Sequence, residues 1–162
     1  DPVLVIENLP IYKQKGEVSL DEDLVTPIGR ARVARPGTDL TIVAHSYAVV
    51  RALEVADRMA GSHGVSIEVV DLRSLRPLDV ETVVESVGRT NRALCVEEGW
   101  ASYGVTAEVA ARIQKACFDE LDAPVERVGM AEVPLPYAKS LEHAAMPNED
   151  RIAAAALATL GL

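Results

Sequence analysis

From Leu40 onward the chain alternates short apolar runs with segments of helical period, which restricts it to a mostly parallel α/β sheet with helices on both faces. Leu40-Thr41-Ile42-Val43-Ala44 is the first such run, bounded upstream by Pro36-Gly37. A helical face of Val49, Leu53, Ala56 and Ala60 follows, with Arg51, Glu54 and Arg58 opposite, and Gly61 and Gly64 supply its stop. Residues 67–72 give a second strand, apolar enough for burial on both faces. Asp79 stands at the N-cap of the next helix, where Val80, Val83, Val84 and Val87 recur at i, i+3, i+4 and i+7. Valines are poor helix formers, so packing must hold this helix.

A third strand is predicted over residues 93–97. After the Gly99 to Gly104 turn comes the longest expected helix, with Val109, Ile113, Cys117 and Leu121 inward and Glu108, Arg112, Lys115 and Asp119 outward. Residues 125–128 read as a short fourth strand. Pro134, Pro136 and Pro147 exclude a long helix across 133–147, and Asn148 then opens a terminal helix with Ile152, Ala156 and Leu160 on its apolar face.

Upstream, residues 3–6 are a short apolar run that predicts a strand, and residues 13–23 read as an extended linker. A lone strand is marginal, so the expectation is that this one completes the sheet of a preceding domain. Residues 1–27 are then a last strand plus linker, and residues 28–162 form one domain.

The 162 residues, 49% of them hydrophobic, suffice for one substantial core. A net charge of -9 argues against nucleic acid or an anionic membrane as partner, because both repel an acidic surface. No apolar run approaches the ~20 residues that span a bilayer, and a soluble intracellular protein is expected. Cys95 and Cys117 are too few for a metal cluster or disulfide framework, and His45, His63 and His143 form no ligand pair, so a zinc site has no ligand set.

The adjacent acids Glu97 and Glu98 end a buried strand, yet neighbours in an extended chain point to opposite sides and would not share a proton. The glycines of residues 99–104 open a helix, which invites a phosphate-loop reading, but Val105-Thr106 stands where Lys-Ser/Thr would finish a Walker motif. His45-Ser46 pairs a base with a nucleophile without a G-x-S-x-G elbow, and no G-x-G-x-x-G occurs. The residues themselves lead to an acidic α/β domain without a recognisable active site.

The run Asp71-Leu72-Arg73-Ser74-Leu75-Arg76-Pro77-Leu78-Asp79 resembles the strand-to-helix junction of the transketolase C-terminal domain as it occurs in 2-oxoacid dehydrogenase beta subunits. Five more segments match in order: Pro2-Val3-Leu4-Val5-Ile6-Glu7-Asn8, Pro27-Ile28-Gly29-Arg30-Ala31, Val96-Glu97-Glu98-Gly99-Trp100, Leu121-Asp122-Ala123-Pro124-Val125-Glu126-Arg127-Val128 and Pro134-Leu135-Pro136-Tyr137-Ala138. Thr90-Asn91-Arg92 and the Pro-Tyr-Ala run look more like pyruvate than branched-chain enzymes.

The resemblance implies a three-layer α/β domain from a thiamine-diphosphate-dependent enzyme that decarboxylates pyruvate oxidatively and passes acetyl to lipoamide. It also implies that the cofactor glutamate lies in the preceding domain of the beta subunit, and that the diphosphate and magnesium are held by the alpha subunit. Residues 1–162 alone are then expected to bind no cofactor and to be inactive, contributing assembly and docking. Implied partners are the alpha subunit, a second beta subunit and the subunit-binding domain of dihydrolipoyl acetyltransferase. Asp122 and the terminal carboxylate of Leu162 match the docking positions, although Asp122 also reads as a turn residue before proline. Asp1 falls at the family's potassium-loop position, without the loop's other ligands. Bacterial cytoplasm is the expected location, with the mitochondrial matrix as the alternative. A branched-chain or acetoin dehydrogenase, a transketolase-like enzyme and a free-standing interaction module are the competing readings.

Overall fold

A computed structural model describes residues 2–17, 19–21 and 23–162. Its centre is a five-stranded sheet of β1 (Arg32–Arg35), β2 (Leu40–Ala44), β3 (Ile67–Asp71), β4 (Ala93–Trp100) and β5 (Glu126–Met130), in the order β1-β3-β2-β4-β5. The pairs β2 with β3, β2 with β4 and β4 with β5 are parallel, and β1 lies antiparallel on the edge beside β3. The helices are α1 (Tyr47–His63), α2 (Val80–Thr90), α3 (Val105–Ala116), α4 (Lys139–Ala145) and α5 (Glu149–Leu160), and a single 3-10 turn spans Leu9–Lys13.

Successive side chains of a strand point to opposite faces, so each central strand feeds two cores. Leu40, Ile42, Ile67, Val69, Leu94 and Val96 meet α1 and α5 on one face. Val43, Val70, Ala93 and Cys95 meet α2 and α3 on the other. The expected mostly parallel sheet with helices on both faces is what the chain forms. The Asp79 carboxylate accepts the Thr82 N–H at 3.2 Å, and Asn148 accepts from the Arg151 N–H at 2.9 Å, so both expected caps are in place.

Residues 3–6 stand exposed, Leu4 by 91% and Ile6 by 88%, and pair with no strand of the described residues, so their completing the sheet of a preceding domain is a proposal. Three elements depart from the sequence reading. β1 went unread since arginine occupies both its ends, which suits an edge strand and hides the alternation. α3 stops at Ala116, with Cys117 as its cap and Leu121 held by a turn to the Cys117 carbonyl, so the 17-residue α1 is the longest helix. Gly61 lies inside α1 and Gly64, at φ 67°, ends it in the left-handed region that glycine adopts without strain.

Candidate functional site

β2 leads through α1 to β3 on one side of it, and β3 leads back through α2 to β4 on its other side. The connections leaving β2 and β4 therefore part to opposite faces, which opens a crevice at the carboxyl ends of these two strands. Such switch points are where open α/β sheets place their ligands. His45, Ser46, Glu97 and Glu98 all lie there, with Asp71 ending the neighbouring strand.

Glu97 is buried, and its carboxylate accepts the Val105 N–H and the Thr106 N–H, each at 3.0 Å, together with the Thr106 hydroxyl. Free N–H groups at the start of α3 are the basis of the phosphate-loop reading, and this internal carboxylate occupies them. Gly104 has to be glycine, since a Cβ there would collide with that carboxylate and with the Trp100 carbonyl. Glu98 points elsewhere, as neighbours in a strand must, and takes the Asn8 amide at 2.8 Å. Burial raises the Glu98 pKa against the lowering influence of Arg51 and Asn8.

Ser46 sits at φ 58° and ψ −140°, a conformation that costs a non-glycine residue strain. Its hydroxyl accepts from the Asn8 amide at 2.9 Å and makes no bond to His45, so no nucleophile–base pair forms. His45 is held below the usual histidine pKa by burial, against the pull of Glu97 and Asp71. Arg51 was expected on the outer face of α1, yet its side chain is only 13% exposed. It stacks over Tyr47 at 5.3 Å, donates to the Pro147 carbonyl and lies 3.8 Å from Glu149. Asn8 and Arg51 are the members of this cluster that sequence reasoning missed, because no spacing links residue 8 to residues 46 and 98.

Among the described residues no group of three histidine, cysteine or acidic side chains could hold a metal ion. With the α3 terminus closed by Glu97, the residues present do not fit thiamine diphosphate and magnesium. Asp1 lies outside the described residues.

Asp122 lies in the α3–β5 connection, far in sequence from the crevice residues. Its backbone N–H donates to the Asn91 carbonyl at 2.8 Å, and its half-exposed carboxylate pairs with Arg92 at 3.1 Å. Asp122 thus has a cation of its own, brought in by the α2–β4 connection. Leu162 follows the Gly161 cap of α5 and is exposed. No hydrogen bond or ion pair among the described residues joins Asp122 to Leu162.

Residues 29–152 match the family of transketolase C-terminal domains. The chain belongs to that family. As a transketolase C-terminal domain it is 44% identical over 159 residues to the mitochondrial pyruvate dehydrogenase E1 component subunit beta of Dictyostelium discoideum, covering 96% of this chain and 44% of that protein. The corresponding Drosophila melanogaster subunit is 46% identical over 165 residues, with 99% of this chain and 45% of that one covered. A solved split-gene transketolase, described as an inactive β4 tetramer, superposes with a TM-score of 0.69 at 29% identity over 88% of this chain and 45% of its own. The chain spans less than half the length of these relatives.

Proposed function

We propose that this transketolase C-terminal domain is that of the beta subunit of a pyruvate dehydrogenase, serving assembly and docking in an enzyme that decarboxylates pyruvate and passes acetyl to lipoamide. The observation that carries this reading is the 44–46% identity to pyruvate dehydrogenase beta subunits across nearly the whole chain. The geometry supports the division of labour. The crevice is closed by its own carboxylates and amide, and residues suited to thiamine diphosphate and magnesium belong, on this reading, to parts of the enzyme outside residues 1–162.

Exposed aromatic and aliphatic side chains fit an assembly role. Trp100, Tyr103, Phe118, Leu135 and Tyr137 are all exposed, and apolar surface of this kind is typical of protein interfaces. The alpha subunit and a second beta subunit are the proposed neighbours. Asp122 and the Leu162 carboxylate are proposed to receive the basic subunit-binding domain of dihydrolipoyl acetyltransferase. Arg92 would have to release Asp122 first, and a partly exposed pair of this type holds by under ~1 kcal/mol, so exchange is feasible. Bacterial cytoplasm or mitochondrial matrix is the proposed compartment. No helix among the described residues is long and apolar enough to cross a membrane.

The test is turnover. A beta subunit carrying this sequence, combined with its alpha subunit, should decarboxylate pyruvate at least about tenfold faster than branched-chain 2-oxoacids, a difference of about 1.4 kcal/mol in barrier. A branched-chain preference would reassign the substrate class, and no 2-oxoacid turnover would remove the reading.

A further inference from the structure

We propose that residues 9–17 form a strap latched at its leading end by Asn8, which bridges the crevice between β2 and β4, and poised to lift there. Asn8 is half-buried within a stretch whose other side chains are nearly all exposed. Its amide nitrogen donates to Ser46, at the start of α1, and to Glu98, near the end of β4, so one side chain ties together the two elements that diverge at the switch point. Further along the chain Arg73 donates to the Thr26 hydroxyl at 3.1 Å, and the Gly29 N–H donates to the Ser74 hydroxyl at 2.9 Å. Among the described residues between these anchors the hydrogen bonds are local: the 3-10 turn, Tyr12 back to Glu7 just before the latch, and the turns at Ser19 and Asp21. Among the described residues, no hydrogen bond ties residues 9–17 to the body of the domain.

Lifting is favoured by what the latch leaves unmade. Three buried side-chain polar atoms among the described residues lack a partner: Asn8 Oδ1, His45 Nε2 and Arg51 Nε. Asn8 Oδ1 and His45 Nε2 belong to this junction, His45 preceding Ser46 directly, whereas Arg51 Nε faces Glu149 at 3.8 Å. Buried polar groups are nearly always paired, so two orphans beside the latch mark an arrangement that gains hydrogen bonds to water when it opens. Ser46 adds backbone strain at the same point, and burial of the Glu98 carboxylate adds a desolvation cost that lifting removes. This inference is independent of the enzyme assignment.

Lys13 and Lys15 lie on the strap and are exposed, so trypsin reports its freedom, because proteases need a locally loosened chain. In the 162-residue chain, Asn8→Ala should raise cleavage after Lys13 and Lys15 at least threefold, with cleavage inside the domain unchanged. Asn8→Asp should do the same, since two carboxylates would then face each other. Adding Glu98→Gln to Asn8→Asp supplies an amide donor from the other side and should bring the rate back to within twofold of the parent. Unaltered cleavage in both single variants would overturn the latch, and so would a double variant as labile as Asn8→Asp.

Discussion

The Glu97 carboxylate accepts the backbone N–H of Thr106 at 3.0 Å, so a side chain of β4 closes the helix that follows it. The bond lies on the buried side of the sheet, where water cannot substitute for either partner. A position that looks in sequence like a catalytic acid is thereby a helix cap, and the anion site that the glycines suggest is filled from within.

Glu97→Ala should destabilise the domain by roughly 2–4 kcal/mol, because it leaves the Val105 and Thr106 N–H groups buried without an acceptor. Gly104→Ala should cost a similar amount, roughly 2–4 kcal/mol, through collision with the same carboxylate. Urea midpoints would read both. A loss under about 1 kcal/mol in each variant would show that α3 does not depend on this cap.

His45 contributes a fall in stability as the solution is acidified through the unfolded histidine value of about 6.5. Burial lowers its pKa in the folded chain, so its contribution is complete above the unfolded value of 6.5 and is lost as pH falls from there toward the folded value. Asp71 and Glu98 have the opposite sign: burial raises both, and the penalty on their charged forms is relieved as pH falls through the raised values. His45→Gln should flatten the decline in urea midpoint while leaving the behaviour below about pH 5 intact. An unchanged slope would remove His45 as its source.

Cys95 is buried, and burial with the nearby Glu97 pushes its thiol up to about 12 against the pull of Arg127. Cys117 is buried and raised as well. Neither should react with an aromatic disulfide reagent in the folded chain, and both should react once urea unfolds it. Rapid labelling of either in native buffer would contradict the burial.

Asp122→Ala should change the stability of the domain by under ~1 kcal/mol, because the Arg92 pair is partly exposed. Its effect on docking is separate. If Asp122 receives a basic domain in a desolvated contact, affinity should fall by on the order of 2–5 kcal/mol and weaken with salt. Calorimetry of the assembled enzyme with the isolated subunit-binding domain distinguishes the cases, and unchanged affinity at low and high salt would leave Asp122 its turn role alone.

Much of the fold was legible because its central strands are buried on both faces. Residues 40–44 and 67–72 read as near-continuous apolar runs broken only by Thr41, Glu68 and Asp71, and Asp79 and Asn148 stand where the helices start. β1 was not legible, since an edge strand ending in arginine at both sides carries no alternation. Residues 3–6 carry the signal of a strand without forming one, because a strand requires a partner and the local pattern cannot say where that partner is. The candidate site was half legible. Its acids and His45-Ser46 stand at strand ends, whereas Asn8 and Arg51 arrive through contacts 90 residues and more away in sequence, which no local spacing encodes.

On the proposed reading, this domain takes part in assembling a thiamine-diphosphate enzyme without holding the cofactor itself. Titration calorimetry of the 162-residue chain with thiamine diphosphate and magnesium tests it most directly. Heats indistinguishable from dilution are the expected result, and stoichiometric binding would contradict it.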